Sequence, residues 1–129
     1  MREMSRRGVL AAGATVLGIA ALPALAQGGR YRLLVERHVD MLCVSRLTAA
    51  RFGPPVSTGM LSNTMLDDPT TLARVADTFH GERTIVIANP TLVAALSRLA
   101  RAPRRAAPGL AEDIRRVLPA DRVEVAFFA

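Results

Sequence analysis

The chain has no tryptophan, no lysine, one tyrosine, four phenylalanines, one cysteine and two histidines in 129 residues. Each scarcity closes a class of function. A lone cysteine, Cys43, cannot form an internal disulfide, so the fold must rest on packing rather than on covalent staples. There is no C-x-x-C for thiol–disulfide exchange and no C-x-x-C-H for haem attachment. With aromatic residues at 4%, the stacking platforms that hold nucleic acid are nearly absent, and no nucleic-acid partner is expected. His38 and His80 are the only imidazoles, and a useful metal site wants at least three ligands converging on one point, so none is expected. No G-x-S-x-G offers a nucleophilic serine, and neither G-x-G-x-x-G nor the Walker pattern offers a phosphate cradle. No catalytic, cofactor-binding or metal-ligating residue is therefore expected, no cofactor is implied by the chain's own residues, and an enzyme is not the favoured reading.

What the chain does have is concentrated at its start. Ser5, Arg6 and Arg7 lead into an apolar run from Gly8 to Leu22 that ends at Ala24, Leu25 and Ala26. A charged beginning, an apolar segment of about 7–15 residues and a small-residue A-x-A site make a bacterial export signal. Ser5-Arg6-Arg7-Gly8-Val9-Leu10 resembles the twin-arginine translocation signal, which implies export to the periplasm of a protein already folded, through the twin-arginine machinery. Cleavage after Ala26 divides the chain into a leader, 1–26, and one small mature domain, 27–129. The alternative is a retained anchor, since Val9 to Ala26 matches the roughly 17–25 residues that span a bilayer. Pro23 and the A-x-A site argue against it, so membrane association is not the expectation. The leader takes Arg2, Arg6, Arg7 and Glu3 with it, reducing 17 basic and 11 acidic residues to 14 and 10. A balance of that size permits acidic partners without requiring them.

The remainder reads as short elements separated by turn signals. Tyr31 to Glu36 is either a strand or the first turn of a helix that reaches Phe52, on which Val39, Cys43, Leu47 and Ala50 recur at helical spacing and put the thiol on an apolar stripe. Gly53-Pro54-Pro55 ends that helix. A polar loop around Ser57 to Asn63 follows, with a short helical piece near Met60 to Leu66. Asp67-Asp68-Pro69 reads as a helix cap rather than as a paired carboxylate, and Leu72, Val75, Ala76 and Phe79 continue the stripe to His80 and Gly81. Thr84 to Ala88 is a buried strand, Asn89-Pro90 caps a second clear helix, Gly109 to Leu118 is a third, and Arg122 to Phe128 is a terminal strand. The expected fold is a helix-rich α+β or α/β domain with a short sheet of two or three strands, its two clear strands able to lie parallel. An all-helical domain is the alternative.

Two features bear on partners. Arg98, Arg101, Arg104 and Arg105 could form a ridge at one helix end, suited to an acidic partner or to phosphate headgroups. Leu42-Cys43-Val44-Ser45-Arg46-Leu47-Thr48-Ala49, followed by Leu66-Asp67-Asp68-Pro69, resembles the helical start of small subunits of membrane-bound sugar dehydrogenases. That resemblance, with the twin-arginine leader, implies an interaction subunit or assembly factor for a larger exported redox subunit. The alternative is an autonomous periplasmic module that binds a small ligand in a cleft beside the strands.

Overall fold

Leu33-Leu34-Val35 and Ile85-Val86-Ile87 are apolar on both faces, the pattern of inner strands in a sheet covered on both sides. They pair with each other. In the computed structural model, which describes residues 30–118 and 123–129, β1 (Arg32–Glu36) runs parallel to β3 (Thr84–Ala88), with Leu33 opposite Ile85. β2 (Ser57–Leu61) lies parallel on the outer side of β1. β5 (Glu124–Phe128) lies antiparallel to β3, and β4 (Arg104–Ala106) forms the far edge, antiparallel to β5. The order is β2-β1-β3-β5-β4. Among the described residues the helices are α1 (Met41–Phe52), α2 (Pro69–Asp77), α3 (Pro90–Leu99) and α4 (Pro108–Val117), with a 3-10 turn at Asn63–Asp67.

Strand alternation sorts the core into two layers. Leu33, Val35, Ile85, Ile87 and Phe127 pack with Val44 of α1 and Leu110 and Ile114 of α4. Leu34, Val86, Ala126 and Phe128 pack on the other face with Leu72 and Ala76 of α2 and Leu92, Val93 and Leu96 of α3. Ile85, Val86 and Ile87 are fully buried, and each such side chain contributes about 1.5–3 kcal/mol relative to exposure. The stacked rings of Phe79 and Phe128, with centroids 4.6 Å apart, close the second layer.

The architecture corrects the expected short sheet, and with it the all-helical alternative: the protein is a small α+β domain on a five-stranded mixed sheet. Both missed strands are edges. In β2, Ser-Thr-Gly-Met-Leu, only Leu61 is buried, so no apolar alternation marks it. Its fit depends on Gly59, where a Cβ would stand 2.8 Å from Leu34 Cδ2 of the neighbouring strand. β4 is three exposed residues between Pro103 and Pro108. The helical piece expected near Met60 to Leu66 is the 3-10 turn, which starts after the strand.

The two clear strands, β3 and β5, are neighbours but antiparallel rather than parallel. After β4 and α4 the chain re-enters the sheet with Glu124 opposite Ala88, at the carboxyl end of β3, and so runs back down it. The Cys43 stripe is also out of phase by one residue. Asp40 caps α1 by accepting from the Cys43 N–H at 3.1 Å, and the buried positions are Val44 and Thr48, whose hydroxyl donates to the Val44 carbonyl. Cys43 is half-buried and Ala50 exposed.

Candidate functional site

β1 passes into α1 on one face of the sheet, while its neighbour β3 passes into α3 on the other face. Helices leaving adjacent parallel strands toward opposite faces open a crevice outside the carboxyl ends of those strands. That crevice, about 730 Å³, is lined by Glu36, His38, Asn63, Leu66, Asn89 and Thr91, with Val123 from the other side.

Its floor is a hydrogen-bonded cluster built from three separate loops. Glu36, the last residue of β1, is only 5% exposed although it is an acid. One of its oxygens, Oε1, accepts from the backbone N–H of Asn89 at 2.8 Å and from Asn89 Nδ2 at 3.0 Å. The other, Oε2, accepts from Asn63 Nδ2 at 2.9 Å. Asn89 Nδ2 also donates to Asn63 Oδ1, and Asn89 Oδ1 caps α3 by accepting from the Leu92 N–H at 2.9 Å. None of the ion pairs among the described residues includes Glu36. A buried carboxylate is costly unless it is hydrogen-bonded, and donors to a charged acceptor contribute about 1.5–3 kcal/mol each. The N-terminal end of α3, with its unpaired N–H groups and positive dipole end, favours negative charge there as well.

Chain folding around this cluster follows from local signals. Val39 N–H returns to the Glu36 carbonyl at 2.9 Å, making the tight turn that lifts Arg37 and His38 into solvent before α1 begins. Arg37 N–H donates to the Leu61 carbonyl at 2.8 Å, so β2 delivers the Asn63 turn beside β1. Ser62 caps that turn through the Thr64 N–H. The cluster uses the polar atoms of Asn63, Asn89 and Glu36 on one another, while no hydrogen bond among the described residues engages the His38 imidazole or the Thr91 hydroxyl. A rigid polar floor, two free polar side chains at the mouth and the apolar Leu66 and Val123 make a surface that can orient a small polar molecule.

The residues singled out from sequence fall elsewhere. Ser5, Arg6 and Arg7 and the cleavage residues Ala24, Leu25 and Ala26 lie outside the described residues. Arg98 is in the last turn of α3 and Arg101 in the bend after it, whereas Arg104 and Arg105 belong to β4, where alternation sends them to opposite faces. Arg104 pairs with Glu124. Asp113 of α4 accepts from the Arg51 Nε–H at 2.5 Å and so ties α4 to α1. That bond, more than the surrounding charge, holds its carboxyl below the usual range. Asp68 caps α2 through the Thr71 N–H and hydroxyl, which lower its pKa. His80 stands exposed in the turn beyond α2.

Glu36, Asn63 and Asn89 had a faint signal in the sequence. Two apolar runs, Leu33-Leu34-Val35 and Ile85-Val86-Ile87-Ala88, each end on a polar residue, Glu36 and Asn89. Asn89 reads as a cap alone until β1 and β3 are known to be parallel neighbours. Among the described residues no group of three His, Cys, Asp or Glu side chains could hold a metal ion, and no helix is long and apolar enough to cross a membrane. No family model, curated protein or solved structure matches the chain.

Proposed function

We propose that the protein is an exported, periplasmic module that binds a small polar ligand in the crevice at the carboxyl ends of β1 and β3. The observation that carries this reading is the buried Glu36–Asn63–Asn89 cluster, which spends three loops and a desolvated carboxylate on shaping one concave surface at the switch point of the sheet. Export rests on the Ser5-Arg6-Arg7 leader and the Ala24-Leu25-Ala26 site.

The test uses the absence of tryptophan from the chain. Thr91→Trp places one bulky indole in the crevice at an exposed helix position, filling the site and reporting on it by fluorescence. The full chain is screened by thermal shift against neutral sugars, polyols and small amines. Hits should weaken at least tenfold in Thr91→Trp. A screen without hits, or hits that Thr91→Trp leaves unchanged, ends this reading.

One observation favours the other reading, an interaction subunit for an exported oxidoreductase. β2 is an uncovered edge strand whose Met60 is 63% exposed, beside Val56, also exposed. Open edges of this kind pair readily with another chain. Co-purification of a defined redox enzyme from envelope extracts, lost in Met60→Lys, would move the weight to it; a partnerless, stable monomer removes it.

A further inference from the structure

The opposite ends of the parallel strands gather positive charge. Arg30 precedes β1, Arg32 is its first residue, Arg83 precedes β3 and Arg105 lies on β4. All four line one crevice of about 770 Å³, whose lining among the described residues also includes Glu82 and Ala129. They are far apart in the chain and meet because the strands pair: Arg32 N–H donates to the Arg83 carbonyl at 2.8 Å, and β5 joins β4 to β3.

Arg32 is held in place rather than left to solvent. Its Nη2 donates to the Thr78 hydroxyl at 2.8 Å, the Thr84 hydroxyl at 3.1 Å and the Thr78 carbonyl at 3.2 Å. Its guanidinium lies 5.8 Å from the centroid of the Phe79 ring. Yet its Nε is closed off from solvent and has no hydrogen-bond partner. The nearest carboxylate, that of Glu82, stops at 4.0 Å, beyond hydrogen-bond reach. Arg30, Arg83 and Arg105 are exposed, and none of the ion pairs among the described residues uses them. Like charges gathered in one concavity repel, and an unpaired buried donor is costly. A bound anion relieves the repulsion.

We infer that this crevice is a second site, which takes a phosphate-bearing anionic ligand. Guanidinium forks match phosphate oxygens pairwise, and a cluster of them selects charge density over shape. The same chemistry is offered by a free diphosphate and by an anionic phospholipid headgroup.

The experiment uses the full 129-residue chain labelled with 15N. Inorganic pyrophosphate is titrated while the Arg32 Nε–Hε resonance is followed, and vesicles of phosphatidylglycerol or of phosphatidylcholine are co-sedimented with the same protein. A saturable Arg32 shift, weakened at least tenfold in Arg83→Gln/Arg105→Gln and unchanged in Arg98→Gln/Arg101→Gln, supports a site for a free ligand. Preferential sedimentation with phosphatidylglycerol that the Arg83/Arg105 variant loses, without a pyrophosphate shift, supports a headgroup site; the leader's own lipid affinity is common to both proteins. Arg83 and Arg105 are exposed, so the variant should keep the wild-type spectrum. If neither probe distinguishes the variant from the wild type, the second site does not exist.

Discussion

The two ends of β1 meet helices with opposite chemistry. At its carboxyl end Glu36 accepts the backbone N–H of Asn89, the N-cap of α3; near its amino end Arg32 donates to the carbonyl of Thr78, the C-cap of α2. A carboxylate at a helix start and a guanidinium at a helix end both complement the helix dipole. The outcomes differ, however. Glu36 is buried and its oxygens are satisfied by three donated bonds, so the carboxyl edge presents an ordered, hydrogen-bonded wall. Arg32 keeps an unbonded Nε among three further arginines, so the amino edge presents unsatisfied charge. One strand can therefore support two sites of different selectivity, one reading hydrogen-bond geometry and the other charge.

The sharpest way to break this contrast is Glu36→Ala. It strands the donors of Asn63 and Asn89 at about 1–3 kcal/mol each and should lower the unfolding free energy by about 3 kcal/mol in urea denaturation. Ligand affinity at the carboxyl crevice should vanish, while the Arg32 resonance at the amino edge stays where it was. Stability within about 0.5 kcal/mol of wild type would mean the cluster is ornamental.

A smaller effect belongs to the Arg51–Asp113 bridge, which braces α1 against α4. Because the folded pKa of Asp113 lies below its ordinary 3.8, the bridge contributes fully above that pH and is lost as pH falls through the folded value. Asp113→Asn should cost about 0.5–1 kcal/mol at neutral pH and flatten the acid limb of the stability profile. An unchanged acid limb would assign the loss to another carboxyl group.

A further effect is expected at alkaline pH, on the amino edge. Tyr31 is buried, donates its hydroxyl to the Gly53 carbonyl at 2.6 Å, and burial pushes its pKa from 10.0 up to about 12. The folded protein thus holds this proton more tightly than the unfolded chain. The contribution is complete below pH 10 and declines as pH rises toward 12. Tyr31→Phe should remove that slope, measured against the tyrosinate absorbance of the wild type, while neutral-pH stability falls by about 0.5–1.5 kcal/mol for the lost hydrogen bond.

Legibility in the sequence tracked burial. Ile85-Val86-Ile87 and the stripes of α2 and α3 were readable because both strand faces and one helix face must be apolar to be covered. β2 and β4 were not, because an edge strand with one neighbour and exposed side chains carries no periodic signal. The phase of α1 was misread by one residue because Thr48 hides its hydroxyl on the Val44 carbonyl and takes an apolar position. The carboxyl-edge site was hidden for a different reason. Residues 36, 63 and 89 become neighbours only through the register of parallel strands, and a single sequence does not disclose register. The arginine cluster was likewise regrouped by pairing, with Arg105 joining Arg30, Arg32 and Arg83 instead of Arg98 and Arg101.

The measurement that bears most directly on the account is amide chemical-shift mapping of the full chain with the ligands that survive the thermal-shift screen, in the presence of saturating pyrophosphate. Shifts confined to Arg37, His38, Asn63, Asn89 and Thr91, with Arg83 and Arg105 held constant by pyrophosphate, are the predicted result. Shifts confined to the Arg83 and Arg105 edge, or spread over the surface of α1 and α4, would contradict a ligand site at the carboxyl ends of β1 and β3.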